Sequence, residues 1–104
     1  MVEPEMVVYV DEELADLIPE FLENRRRDVE TITRLVQEDK HEELTRLGHT
    51  MKGVGGSYGF VEISEIGQGI EEASVRGDRK AITTLCERLA AYLAAVTVQV
   101  RQQE

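Results

Sequence analysis

The sequence is poor in cross-links, aromatic rings and positive charge. Its one cysteine, Cys86, cannot close an internal disulfide, and its spacing between Leu85 and Leu89 marks it as a packed thiol. With no tryptophan, two phenylalanines and three tyrosines, the filling of a core falls to Leu, Ile, Val and Ala, which suits a helical bundle. Neither a signal-peptide pattern nor an 18-residue apolar run is present, so a cytoplasmic location is expected and no membrane span. Twelve Lys and Arg stand against 21 Asp and Glu, for a net charge of −9. Such a chain repels phosphate backbones and anionic lipid, which argues against nucleic acid and membrane as partners. The cations that remain are local. Arg25, Arg26 and Arg27 read as a solvated helix face, with partner contact as the alternative, and Arg46 with Lys52 could make a small positive patch.

What is there is helical periodicity. At 104 residues and 41% apolar content the chain suits one domain spanning residues 1–104. Residues 1–10 alternate weakly, but no second strand pattern follows, so they are expected to form an extended lead-in that packs Val8 or Tyr9 on the bundle. Asp11 is expected to cap a short helix containing Leu14, Leu17 and Ile18, after which Pro19 opens the next helix or kinks a continuous one. Apolar residues from Phe21 to Val36 predict a long amphipathic helix to about Asp39. A second helix is expected from His41 to Tyr58, with His41 solvated in the turn. A third ends at Gly77, and a fourth, capped by Asp78, carries its stripe through Tyr92, Leu93 and Val96 to about Val100. The tail at 101–104 is expected to fray. The fold class is all-α, an antiparallel up-down-up-down four-helix bundle preceded by a short N-terminal helix.

The second helix carries the chemistry. In LTRLGHTMKGVGGSYGF, Leu44, Leu47, Met51, Val54 and Tyr58 share one face, while Thr45, His49, Lys52, Gly53 and Gly56 share the opposite one. Gly48, Gly53, Gly55 and Gly56 each cost a helix about 1 kcal/mol relative to alanine. They either end the helix near Gly53 or clear side chains from around the histidine so that another molecule can approach. Val54 and Tyr58 continue the apolar stripe through the glycines, which favours an unbroken helix and an accessible imidazole. Lys52, one turn on from His49, could offset negative charge placed on the ring. A partner for the second imidazole nitrogen is also wanted, and Glu71, at the edge of the third helix's apolar stripe, is the candidate; the alternative is an exposed helix carboxylate. Gln68 and Ser57 are weaker candidates.

The run HTMKGVGGSYGF resembles the motif of histidine-containing phosphotransfer domains, which reads H-x-x-K-G followed by small residues and an aromatic-flanked glycine. The likeness extends through EISEIGQGIEEA, over roughly Asp11 to Val100. The resemblance implies a four-helix bundle whose His49 takes a phosphoryl group from the aspartate of one response-regulator receiver domain and passes it to another. Lys52 would neutralise charge on the phosphoryl oxygens, while Thr45, Arg46, Gly53 and Gly56 would receive the partner. Mg²⁺ would belong to the receiver, so no cofactor and no metal is expected in this chain. Glutamate at 71, where many members have glutamine, is similar to the phosphoacceptor domains of chemotaxis histidine kinases, which leaves the donor open between a receiver and a sensor histidine kinase.

Two rivals stand beside this reading. The dimerising core of a histidine kinase would need an acidic residue at Thr50 and a proline at Gly53, and no P-loop supports autonomous kinase activity. A non-catalytic helical adaptor would leave His49 without a task. A metal site is disfavoured, because His41 and His49 are more than two helical turns apart. A bundle that closes its own core needs no second copy, so a monomer is expected.

Overall fold

Local chemistry sets the helix ends. The computed structural model describes residues 6–102, so residues 1–5 of the expected lead-in and 103–104 of the expected tail lie outside the described residues. The order is strand β1 (Val7–Asp11), a 3-10 turn (Ala15–Leu17), helices α1 (Ile18–Gln37), α2 (His41–Ser57), α3 (Val61–Arg76) and α4 (Arg79–Ala95), and strand β2 (Thr97–Arg101). Pro19 lies in the first turn of α1, where its missing N–H costs nothing. Gly77 ends α3 at φ 70°, a left-handed conformation natural to glycine. The Asp78 carboxylate accepts the Ala81 N–H at 3.0 Å and starts α4. Each helix packs on its predecessor and α4 returns to α1. The core between them includes Phe21, Ile32, Leu44, Met51, Ile66, Ile70 and Leu89, all buried.

Both chain ends depart from expectation. Asp11 caps no helix: it closes β1, and its carbonyl accepts the Leu14 N–H at 2.9 Å. The expected short helix is a three-residue 3-10 turn that runs straight into α1. Helix α4 stops at Ala95 because Val96 turns extended, at ψ 135°. Residues 97–101 then pair in parallel with β1, from Val7 opposite Thr97 to Asp11 opposite Arg101. Val10 is buried, and Val8 and Val98 pack against the same core, so the period-2 face of the ribbon covers the bundle. Tyr9 is 59% exposed, and of the two lead-in residues expected to pack, only Val8 does. Arg101 belongs to the strand rather than to a frayed tail.

The arginine run divides. Arg26 and Arg27 bond Glu23 and Asn24 on an exposed face. The Arg25 side chain is only 12% exposed; it lies over the Phe21 ring and pairs with Asp28 at 2.8 Å. Its aliphatic stem and flat head let it cover the aromatic contact of Phe21 with Tyr58 and Phe60. Burial pushes the Asp28 carboxyl above its ordinary value, and the Arg25 charge opposes that rise.

Helices α2 and α3 meet backbone to backbone. A Cβ on Gly48 would fall 2.6 Å from Glu71 N and 2.7 Å from Gly67 O; one on Gly67 would fall 2.5 Å from Lys52 N. Gly55 is equally tight against Ser64 N, at 2.7 Å. Gly48 and Gly55 therefore serve helix packing and do not clear space around the histidine. Gly53 has no atom within 4 Å of such a Cβ, and Gly56 meets only Ser64 Oγ at 3.9 Å.

Gly48→Ala is expected to destabilise the fold by about 1–3 kcal/mol through overpacking, while Gly53→Ala stabilises it by up to about 1 kcal/mol. Urea midpoints of the two variants move in opposite directions if this is right. A second expectation concerns Tyr92. Burial, aided by the negative charge of Glu62, pushes its phenol up to about 12 from its ordinary value of 10.0. Between those values the unfolded chain releases a proton that the folded chain keeps, so stability falls as pH rises through that window, by up to about 2–3 kcal/mol. Tyr92→Phe should flatten that part of the stability–pH curve, measured by denaturant midpoints across the window.

Candidate functional site

His49 follows Gly48 on α2, and its position depends on that glycine. Leu44 and Met51 turn the inner face of the helix to the core, which leaves the His49 side chain 74% exposed on the outer face. Because Gly48 admits the α3 backbone at Gly67 and Glu71, the Glu71 side chain starts next to the imidazole. Glu71 Oε2 lies 3.1 Å from His49 Nδ1. The carboxylate is more sheltered than the ring, with its side chain 27% exposed. As a carboxylate Glu71 can only accept, so the proton in this contact sits on Nδ1, and in the neutral ring Nε2 carries the free lone pair.

The helix that presents His49 continues through the glycines to Ser57. Lys52 stands one turn beyond the histidine, exposed, and among the described residues no carboxylate pairs with it. Arg46 is exposed and likewise without a paired carboxylate among the described residues, one turn before His49. The half-buried Thr45 donates its hydroxyl to His41 O at 2.9 Å. Gly53 and Gly56 lie open on the same face as Lys52. The two weaker candidates are engaged elsewhere: Gln68 donates to Glu72 at 3.1 Å and Ser57 to Gly53 O at 3.0 Å. His41 opens α2 with its Nε2 3.8 Å from Asp39 Oδ1, apart from His49.

Sequence reasoning missed Gly67 and Ser64. Ser64 donates its hydroxyl across the helix pair to Lys52 O at 2.9 Å, which ties α3 to the carbonyl of the residue beside the site. The signal for both was small residues on two consecutive helices, Gly48 and Gly55 on one, Ser64 and Gly67 on the next. Their partnership appears only when the two helices are brought together.

Residues 16–99, most of the chain, match the family model described as Hpt domain. The chain belongs to the Hpt domain family, whose role is phosphotransfer in two-component phosphorelays, where its members interact with response regulators and histidine kinases. Comparisons with curated proteins and with solved structures returned no match. Among the described residues no helix is long and apolar enough to cross a membrane.

At neutral pH the ¹⁵N spectrum of the His49 ring should show the proton on Nδ1, and Glu71→Ala should relax that preference. Equal populations of the two tautomers in the wild type would contradict the geometry.

Proposed function

We propose that His49 is the phosphoacceptor and that the chain relays phosphoryl groups to and from the aspartate of a response-regulator receiver domain. The observation that carries this reading is the Nδ1–Glu71 contact, because it leaves Nε2 as an exposed nucleophile with its lone pair free. In the forward step that lone pair attacks the phosphorus of an aspartyl phosphate in line. The P–N bond forms as the P–O bond to the aspartyl carboxylate breaks, and the carboxylate leaves with the electron pair. The ring gains positive character, the Nδ1 proton stays where it is, and the Glu71 carboxylate stabilises it. Transfer to the next aspartate is the same step reversed.

Lys52 supplies an ammonium to the phosphoryl oxygens, and the Mg²⁺ that also neutralises them belongs to the receiver's acidic pocket. Thr45, Arg46, Gly53 and Gly56 form the docking face, with the two glycines removing bulk where the receiver approaches. Connections of two or three residues between helices favour the antiparallel up-down-up-down arrangement. The protein works as a cytoplasmic monomer in this reading. A second reading, the phosphoacceptor domain of a chemotaxis-type kinase, is favoured by the carboxylate at position 71 in place of an amide.

Transfer from a ³²P-labelled, phosphorylated receiver domain tests the proposal. Label should reach the wild type in an acid-labile, base-stable form and fail to reach His49→Gln. Lys52→Ala should slow transfer by about 10²-fold or more if its ammonium meets the transition-state charge. Label taken only from a kinase ATP-binding domain would select the second reading. No label from either source would leave a helical adaptor.

A further inference from the structure

Among the described residues the ribbon of β1 and β2 has two free edges, and the register identifies the groups on each. The Glu12 N–H donates to Arg101 O at 3.1 Å while Asp11 stands opposite Arg101. In a parallel ladder this fixes the phase: the even-numbered residues of β1 turn their N–H and C=O groups toward β2, and Val7 and Tyr9 turn theirs away. Among the described residues no backbone partner outside the ladder meets the amide or carbonyl of either residue. An unpaired strand edge of this kind is a template for another strand.

This edge is open to solvent but not flat. It borders a groove of about 300 Å³ touched by Val7, Val8 and Tyr9 in succession. Three consecutive strand residues point alternately to opposite faces, so a cavity that meets all three lies along the strand's edge. The opposite wall is the start of α3, with Val61 66% exposed at its lip and the carboxylates of Glu62 and Glu65 along it. Arg88 reaches both carboxylates, at 3.2 and 3.5 Å, so one cation answers two anions and the Glu65 side chain stays 60% exposed. Arg101 also lines the groove, with its guanidinium over the Tyr9 ring at 5.5 Å. Glu12 and Glu13 continue the negative charge past the end of β1.

We infer that this groove takes an extended segment of a partner protein, added as a third strand to the free edge of β1 and carrying basic residues that face Glu62 and Glu65. Backbone pairing to Val7 and Tyr9 gives affinity, Val61 takes an apolar side chain, and the acidic wall selects the charge. The charges disfavour a second copy of this chain, since its β1 would bring Asp11, Glu12 and Glu13 to the same acidic wall on a body of net charge −9. The groove opens beside Gly59, past the end of α2, while His49 lies more than two turns back along that helix. A bound strand therefore leaves the imidazole accessible, and the inference stands independently of the phosphotransfer reading.

The test is an amide titration of the ¹⁵N-labelled chain with a blocked peptide of alternating lysine and valine, beside one with glutamate in place of lysine. The lysine peptide should give saturable shifts at Val7, Tyr9 and Gly59–Glu65, slow hydrogen exchange at the Val7 and Tyr9 amides, and leave His49 unmoved. Tyr9→Pro deletes an outward N–H that the ladder to β2 does not use, and should weaken binding about tenfold, whereas Tyr9→Thr, which keeps the N–H, should not. Glu65→Lys, which touches no backbone, should reverse the preference between the two peptides and serves if Tyr9→Pro unfolds. The inference is overturned by the absence of shifts at millimolar peptide, by equal response to the glutamate peptide, or by Glu65→Lys binding like the wild type. It also fails if the Val7 and Tyr9 amides are protected before peptide is added. Protection with a dimer's mass would assign the edge to a second copy, and protection in a monomer to the chain's own terminus.

Discussion

The contact between the α2 backbone at Gly48 and the α3 backbone at Gly67 is the constraint from which the site follows. Ordinary helix pairs stand 8–10 Å apart because side chains separate them. Here the missing Cβ atoms let α3 come close enough for Glu71 N to lie within 2.6 Å of where a Gly48 Cβ would be. That distance delivers the Glu71 carboxylate to His49, and Ser64 holds the same pair of helices together one turn further along. The imidazole is thus oriented by a partner on a different helix, and the partner is placed by packing rather than by a flexible loop. Such rigid placement is what the proposed phosphoacceptor needs if it is to meet an incoming phosphorus in line.

Charge distribution complements this geometry. The body is acidic, yet the two cations flanking His49 are exposed and free of carboxylates among the described residues, whereas Arg25 is paired and stacked. A cation that no carboxylate holds can engage an anion from outside without first giving up an ion pair. Elsewhere on the surface a cation such as Arg26 is held by a carboxylate, that of Glu23.

Much of this was legible in the residues because it is local. Pro19, Gly77 and Asp78 announce helix ends through backbone chemistry that acts within one turn, and the stripe of Leu44, Met51, Val54 and Tyr58 sets which way His49 must face. The candidacy of Glu71 was also readable, as a polar group at the edge of an apolar stripe. What escaped was decided by distant parts of the chain. Tyr92, Leu93, Val96 and Val100 fit a helix as well as TVQVR fits a strand, and the choice is made by β1, at the other end of the sequence. The four glycines of α2 look alike in the sequence but serve different ends. Gly53 and Gly56 lie open, while Gly48 and Gly55 face α3, and no pattern within α2 distinguishes them. Arg25 was grouped with its neighbours because its burial depends on Phe21 meeting Tyr58 and Phe60.

The ribbon has a consequence for how the chain folds. Val7 and Thr97 face each other although nearly the whole sequence separates them, so their pairing closes the longest loop in the molecule. The helix pairs on either side of each short connection need only local closures and can assemble first. Zipping the two ends is then the closing event of folding, and opening them is the natural first step of its reversal, with the His49 face on α2 and α3 still intact.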